Sequence, residues 1–300
     1  MKKHEKLYRF IHKRQTAGVI TCIPFMIGFV MFLAVPMGLS FYYSFCDYSI
    51  LTPAKLTGID NYIKMFTGDK TFWASVKATF YFAFVSVPLR LIFALIVALI
   101  LFRQTKMTGI YRAAYYLPSI LGGSVAISIL WKRMFAVDGV VNILLNSLGM
   151  NIHFNWIGNT GTAIWVLILL SVWQYGSSML IFLSAMKQIP GELYEAAEAD
   201  GAGGVRKFFK ITLPLLTPTI FFNLIIQLIG GFLAFTQSLI ITQGKPMDTT
   251  LFYALYMYQQ TFTFNKAGYG SAMAWTMLAF IGLLTLFLFK TKKYWVYDQE

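Results

Sequence analysis

The acidic residues of this chain concentrate in one short stretch. Four of the twelve Asp and Glu residues fall at Glu192, Glu195, Glu198 and Asp200, with alanines between them. Acidic groups in a first helical turn interact favourably with the helix dipole, so the pattern favours a short helix. Such a helix could bind a groove on a partner protein that offers Arg or Lys. A solvated interfacial loop is the alternative.

The same stretch has the features of a compact helical turn. Leu193, Ala196 and Ala197 lie at positions i, i+3 and i+4, so they form one small apolar face. Gly201 suits a left-handed helix end. We expect a second short helix at 205–211 before the chain enters the next apolar run.

The sequence shows no pair of residues spaced to catalyse a reaction. The histidines are His4, His12 and His153, and no carboxylate or Cys–His pair lies within an apolar run, which argues against an intramembrane enzyme. Cys22 and Cys46 show no metal-ligand spacing. The chain also lacks the GxxxxGK[ST] pattern of nucleotide-binding loops. We therefore expect no cofactor on this chain, and any ATP that is used must be hydrolysed by another subunit.

Composition predicts an all-α polytopic membrane protein. The chain is 57% hydrophobic and only 12% charged, which is too little charge for a soluble surface. Its apolar runs reach the ~20 residues that a helix needs to cross a bilayer. The sequence predicts six transmembrane helices, at about 18–44, 76–102, 110–131, 163–186, 215–241 and 268–289.

The positive charge is distributed unevenly between the predicted loops. The chain has a net charge of +13. Sixteen Lys and Arg residues lie in the two tails, in the loop between the second and third spans and in the loop between the fourth and fifth spans. The loops on the opposite side contain seven. The positive-inside rule then predicts that both termini are cytoplasmic. This segregation indicates membrane topology rather than nucleic-acid binding.

Polar side chains in the predicted fourth and fifth spans mark a candidate solute path. Amides both donate and accept hydrogen bonds, so they suit a hydroxyl-rich solute. They are unfavourable against lipid and should face the bundle interior. Helix–helix packing through small and polar residues is the alternative. The candidates are Trp173, Gln174, Ser177, Asn223, Gln227 and Gly231, and the same face of a continuous fifth helix would include Gly230, Ala234, Gln237 and Ser238.

Arg90 lies near the middle of the predicted second span, two residues after Pro88. A charged residue at this depth indicates a functional site, and no Asp or Glu lies in any predicted span to pair with it. It could line a water-filled cavity, bind carbonyls freed by Pro88, contact a partner subunit or bind an anionic substrate.

The charged stretch closely resembles the EAA loop of binding-protein-dependent ABC importer permeases. Shorter matches to the sugar-permease branch, of the maltose and glycerol-phosphate permease type, follow in order along nearly the whole chain, among them Gly58 to Tyr62 and Gln188 to Pro190. The EAA pattern stands here at Glu195, Ala196, Ala197, Asp200, Gly201, Ala202, Phe208, Ile211, Thr212, Leu213 and Pro214.

This resemblance implies the transmembrane domain of a type I ABC importer in a bacterial cytoplasmic membrane. The implied partners are a second, related permease subunit, two ABC ATPase subunits, an extracellular solute-binding protein and a carbohydrate. The residues implied to couple to the ATPase are Glu195, Ala196, Ala197, Glu198, Asp200, Gly201, Leu213 and Pro214. A phosphorylated polyol or acidic saccharide is an alternative substrate, and an ion-coupled secondary transporter is the alternative of another class.

The resemblance and the hydropathy pattern together predict four segments along the chain. These are a cytoplasmic N-terminal tail, a first span with its outer loop, a core permease domain that contains a cytoplasmic coupling loop at 187–214, and a C-terminal tail. Their predicted bounds are 1–17, 18–75, 76–289 and 290–300.

Overall fold

The computed structural model describes residues 14–102 and 107–297. Residues 1–13, 103–106 and 298–300 lie outside this description. They include the basic residues of the predicted N-terminal tail, His4, His12, Arg103, Lys106 and the end of the predicted C-terminal tail. The helices are α1 (Arg14–Phe29), α2 (Val35–Ser44), α3 (Asp60–Ile63), α4 (Lys70–Phe102), α5 (Thr108–Leu121), α6 (Val125–Met134), α7 (Val140–Ser147), α8 (Ala163–Trp173), α9 (Gly176–Met186), α10 (Gly191–Ala199), α11 (Gly204–Lys207), α12 (Leu213–Phe232), α13 (Tyr253–Tyr258) and α14 (Ala267–Trp295).

Short π-helical turns connect or extend several of these helices. A π-helical turn contains an extra residue, which rotates the side chains that follow it relative to those that precede it. These turns are Val30–Ala34, Lys64–Gly68, Phe208–Thr212, Ser238–Thr242 and Gln259–Thr263. Through the first of them, α1 and α2 form one apolar helix.

One compact unit comprises the described residues up to Met65 together with Gln260–Thr276. Its first span, Thr21–Ser44, has a mean hydropathy of 2.2 and no buried residue in that apolar window, as expected for a helix that faces lipid. An antiparallel hairpin follows, in which β1 (Cys46–Ser49) pairs with β2 (Thr52–Leu56). A turn precedes α3, with Gly58 at φ +67°.

An asparagine closes the base of that hairpin. The side-chain amide of Asn61 donates to the carbonyls of Ser44 and Cys46, at 3.0 and 2.9 Å, and the Tyr62 hydroxyl donates to the Ser44 hydroxyl at 2.9 Å. These bonds satisfy backbone carbonyls left unpaired where the helix ends. The sequence did not predict the hairpin, because only nine residues form its strands.

The second compact unit comprises 66–259 and Met277 onward. Its core forms where α4 packs against α8, α9 and α12, and it includes the fully buried Phe82, Leu167 and Phe252. Small residues allow close approach of these helices, as membrane bundles require. A Cβ added at Gly231 of α12 would lie 3.3 Å from side-chain atoms of both Ala83 and Val87 of α4.

The described helices accommodate the six predicted spans, but not all as straight rods. Four helices are long and apolar enough to cross a membrane, and two bent pairs raise this to six when each pair is one span. The pair α5 and α6 bends by 98°, and the pair α8 and α9 bends by 40°. A further short helix, α7, lies between the two bent pairs.

The prediction that the fifth span continues to residue 241 is wrong. Helix α12 ends at Phe232, three non-helical residues follow, and Ser238–Thr242 is a separate turn. Two adjacent glycines, Gly230 and Gly231, weaken the helix just before this end. The Ser238 hydroxyl then donates to the Thr250 carbonyl at 2.5 Å, which ties the turn to the next loop instead. Ala234, Gln237 and Ser238 therefore do not share one helical face with Asn223 and Gln227.

Candidate coupling helix and solute cavity

Helix α10 is the acidic helix that the sequence predicts, and it has no buried residue. Leu193 is 43% exposed, Ala196 is exposed and Ala197 is half-buried, so the predicted apolar face is largely uncovered in this chain. The side chain of Glu195 is exposed as well. In the part of the chain that the structure describes, no hydrogen bond or ion pair engages its carboxylate.

The helix ends in a tight glycine turn. Gly201 adopts φ +75°, its N–H donates to the Glu198 carbonyl at 3.0 Å, and the Ala202 N–H donates to the Ala197 carbonyl at 2.8 Å. This pair of bonds is the Schellman arrangement, which satisfies carbonyls at a helix end and requires a left-handed residue. The prediction of a left-handed end at Gly201 is confirmed.

Two side-chain contacts hold α10 to the segment that follows it. The hydroxyls of Tyr194 and Thr212 are 2.9 Å apart, and the Lys207 ammonium lies 3.2 Å from the Glu198 carboxylate. The predicted second short helix is present as α11, and its π-helical extension runs directly into α12. Residues Gly204–Phe232 thus form one apolar helix of 29 residues.

Leu213 and Pro214 begin α12. Pro214 has no backbone N–H, so one hydrogen bond is missing within the continuous helix Gly204–Phe232. The preceding Pro190 lies just before α10 in an extended conformation, at ψ 131°, and separates α10 from α9. The predicted coupling loop therefore has one non-helical junction at Pro190 and one continuous helical connection to the fifth span.

A cavity of about 270 Å³ lies among α4, α8 and α12. Four of the predicted path residues line it: Arg90, Gln174, Gln227 and Gly231. The rest of the lining comprises Phe82, Val87, Gly123, Ser171, Gly230, Leu233, Ala234, Phe235, Thr236 and Gln237. The helix break after Phe232 supplies part of the polar lining, because it directs the backbone of 233–237 along the cavity.

The Gln174 carbonyl is the hydrogen-bonding centre of this region. A terminal nitrogen of Arg90 donates to it at 2.5 Å and the Ser119 hydroxyl donates to it at 2.8 Å. The Gln174 side chain in turn donates to the Gly122 carbonyl at 3.1 Å. Arg90 therefore binds a carbonyl left unpaired at the break between α8 and α9, rather than one freed by Pro88.

Glycines allow the two bent pairs to touch at this point. A Cβ at Gly176 would lie 2.3 Å from the Tyr115 carbonyl oxygen, and one at Gly122 would lie 2.3 Å from the Gln174 side chain. No real Cβ approaches a neighbour so closely. The breaks in both spans thus meet at one hydrogen-bonded, closely packed point beside the cavity.

The other three predicted path residues do not line the cavity. The Trp173 ring lies 5.6 Å from the Trp131 ring between centroids, the Ser177 N–H donates to the Ser119 hydroxyl at 2.9 Å, and the buried Asn223 amide donates to the Thr219 carbonyl at 3.0 Å. Gln227, which does line it, donates to the Ser178 hydroxyl at 3.0 Å.

Ser171 and Thr236 line the cavity and were missed from the sequence. Ser171 precedes the α8 break by only three residues and belongs to the same polar group as Gln174. Thr236 lines the cavity only because the helix ends at Phe232, so a prediction would have needed to place a helix end shortly after Gly230 and Gly231.

The chain belongs to the family of binding-protein-dependent transport system inner membrane components, whose model matches residues 65–291. Its relatives include ABC transporter permease subunits, which are transport components rather than enzymes. A probable ABC transporter permease protein YesP of Bacillus subtilis is 52% identical, over 98% of this chain and 96% of that protein. The arabinooligosaccharides transport system permease protein AraP of the same organism is 30% identical, over 93% of this chain and 89% of that protein.

A solved structure shows the same fold. It is a chain of a bacterial ABC transporter involved in the import of the acidic polysaccharide alginate, and it matches with a TM-score of 0.81. The match covers 96% of this chain and 98% of that chain, at 22% sequence identity. The predicted family and the all-α polytopic fold, that of an ABC importer permease, are confirmed.

Proposed function

We propose that this chain is the membrane-spanning permease subunit of an ATP-driven importer that translocates a carbohydrate. An external binding protein delivers the solute, and separate ATPase subunits, which use ATP and Mg, dock on α10. The observation that carries this proposal is the exposed acidic helix α10. Its Glu195 carboxylate is free for a partner, and its end is fixed by the turn at Gly201.

The two ends of the coupling loop support a mechanical role. Helix α10 is joined through Pro190 to α9, and the uninterrupted helix Gly204–Phe232 leads from the loop into the cavity wall. At 1.5 Å per residue this helix is roughly 43 Å long. When ATP draws two ATPase subunits together, α10 moves with them and the helix transmits the motion to Gln227 and Gly231. The cavity then opens on the outer side, as a two-state element biased by nucleotide.

The carbohydrate assignment rests on the cavity chemistry and on the relative AraP, which is named for arabinooligosaccharides. Amides of Gln174, Gln227 and Gln237 and hydroxyls of Ser171 and Thr236 are among the lining groups. Amides and hydroxyls can both donate to and accept from sugar hydroxyls.

A second, related permease subunit completes the cavity. The part of the cavity that this chain forms has a volume of about 270 Å³, which is below the ~300–1,000 Å³ that is usual for ligand pockets. The second subunit would supply the remaining wall. The pair lies in the cytoplasmic membrane of a bacterium, with α10 and both termini on the cytoplasmic side.

The variant Gly201→Leu tests the docking role. A side chain at φ +75° costs about 1–2 kcal/mol, and a bulky one would also occupy the partner's groove. We expect membrane insertion to continue while the ATPase subunits no longer co-purify and uptake stops. Gly203→Leu is the matched control, because Gly203 has an ordinary φ of −68° and no atom within 4 Å of an added Cβ. Unchanged uptake and co-purification by Gly201→Leu would contradict the proposal.

A further inference from the structure

Arg90 is a partly buried cation that no carboxylate among the described residues neutralises. It lies within α4, and its partner in the structure is the neutral carbonyl of Gln174, at 2.5 Å. Its Nε atom is buried and, among the described residues, has no hydrogen-bond partner. A partly buried charge that meets only a neutral acceptor is less favourable than one that meets a counter-ion, because a single carbonyl does not balance the charge.

Among residues 14–102 and 107–297, no carboxylate pairs with Arg90. The acidic residues of the described part lie in loops, in short extramembrane elements or in α10, and none lies in α4, α5, α6, α8, α9, α12 or α14. The lining of the cavity contains Arg90 but no Asp or Glu. The solute cavity therefore has a net positive charge.

The guanidinium is also held in place in advance. The carbonyl that it binds is fixed from the other side by the Ser119 hydroxyl at 2.8 Å, and the Gln174 side chain is fixed by the Gly122 carbonyl at 3.1 Å. An Arg held in this way loses little conformational freedom when it binds a ligand. The neighbouring Gln227 and Gln237 amides supply donors and acceptors for hydroxyl groups beside it.

We propose that this cavity contains an anion subsite centred on Arg90, and that the transported carbohydrate carries an acidic group such as a carboxylate or a sulfonate. The acidic group is the counter-ion that the membrane domain lacks, and the amides beside it bind the sugar hydroxyls. This inference rests on the proposed function, whose solute class it narrows from carbohydrates in general to acidic ones.

The first test identifies the solute. The binding protein is purified with the transporter complex from its native host, the solute is released by denaturation, and its charge is determined by mass spectrometry. A saccharide with a carboxylate or sulfonate is the expected result. A neutral saccharide would overturn the anion subsite while leaving the proposed function intact. No ATP-dependent uptake of any saccharide by the reconstituted complex would instead count against the proposed function.

The second test uses Arg90→Gln and Arg90→Lys in the complete complex in proteoliposomes, with the solute identified above. Loss of one partner of a buried charge pair costs about 30-fold or more, so we expect Arg90→Gln to reduce uptake by that factor. Arg90→Lys keeps the charge and should restore a substantial part. Stimulation of ATP hydrolysis by the binding protein should persist in both variants, since α10 is unchanged.

Lys77→Gln is the matched control, because Lys77 is an exposed residue of the same helix and does not line the cavity. It should leave uptake unchanged. Equal uptake of the acidic solute by wild type and Arg90→Gln would overturn the proposal. So would loss of the second permease subunit from the Arg90→Gln complex, because the counter-ion would then belong to that subunit.

Discussion

The coupling loop and the solute cavity differ in how their residues are brought together. The loop is continuous in sequence, at 187–214, and no residue of α10 is buried. The cavity is assembled from separate segments, and Arg90 meets Gln174, which is 84 residues away along the chain, inside the bundle. A docking element must be exposed and locally specified, whereas a solute site needs long-range packing before its polar groups can meet.

The two regions also use glycine differently. Gly201 is favoured by its backbone angle, φ +75°, and not by crowding, because no atom lies within 4 Å of a Cβ added there. Gly176 is required by its neighbours, since an added Cβ would lie 2.3 Å from a backbone oxygen. Substitutions in the loop should therefore disturb coupling with little effect on folding, and substitutions at the helix contact should disturb folding first.

The largest effect is expected for Glu195→Lys. In the proposed complex this carboxylate meets a basic residue of the ATPase, and reversing one charge of such a pair costs about 2–5 kcal/mol or more. ATP-dependent uptake should fall at least about 30-fold, and ATPase co-purification should be lost, while the amount of chain in the membrane is unchanged. Asp138→Lys, at an exposed carboxylate between α6 and α7, is the control. If both variants behave alike, the loop has no special role.

An intermediate effect is expected for Gly176→Val. Side-chain atoms placed against the Tyr115 carbonyl and the Tyr116 backbone force the bent spans apart, and overpacking of this kind costs about 1–3 kcal/mol. The purified protein should unfold at a lower temperature in detergent. Gly282→Val, in α14, has no atom within 4 Å of its added Cβ and should be much less affected. Equal unfolding temperatures for the two variants would mean that the close contact contributes nothing.

The smallest effect is expected for the ion pair between Glu198 and Lys207. The glutamate side chain is 75% exposed, and solvent-exposed pairs contribute roughly 0.2–1 kcal/mol. A double-mutant cycle with Glu198→Gln and Lys207→Gln should give a coupling energy in that range, from thermal unfolding of the purified chain. A value several times larger would show that the pair does more than hold α10 against α11.

Regions specified by local sequence were predicted well. The acid-rich helix, its glycine end and the short helix after it depend on neighbours within a few residues, so propensity and capping rules suffice. The long apolar helices were also found, because hydropathy directly reflects the bilayer. The start of α4 at Lys70 rather than near residue 76 shows that a helix can extend beyond its apolar window.

The breaks in the spans could not be predicted in the same way. The bend of 98° between α5 and α6 lies at Gly122 and Gly123, where Gly122 contacts the distant Gln174. The end of α12 at Phe232 is followed by a turn that the hydrogen bond from Ser238 to Thr250 holds in place. Both are long-range or loop contacts. For this reason the sequence identified Arg90, Gln174 and Gln227 as polar groups in spans but could not show that they share a cavity, nor that Trp173 and Asn223 lie outside it.

The most direct test of the coupling role determines from which side of the membrane a water-soluble reagent can label position 195. A single cysteine is introduced as Glu195→Cys after Cys22 and Cys46 are replaced by serine, and a membrane-impermeant maleimide is applied to intact cells and to inside-out vesicles. The coupling role predicts labelling only in inside-out vesicles. Labelling of intact cells from outside would contradict it.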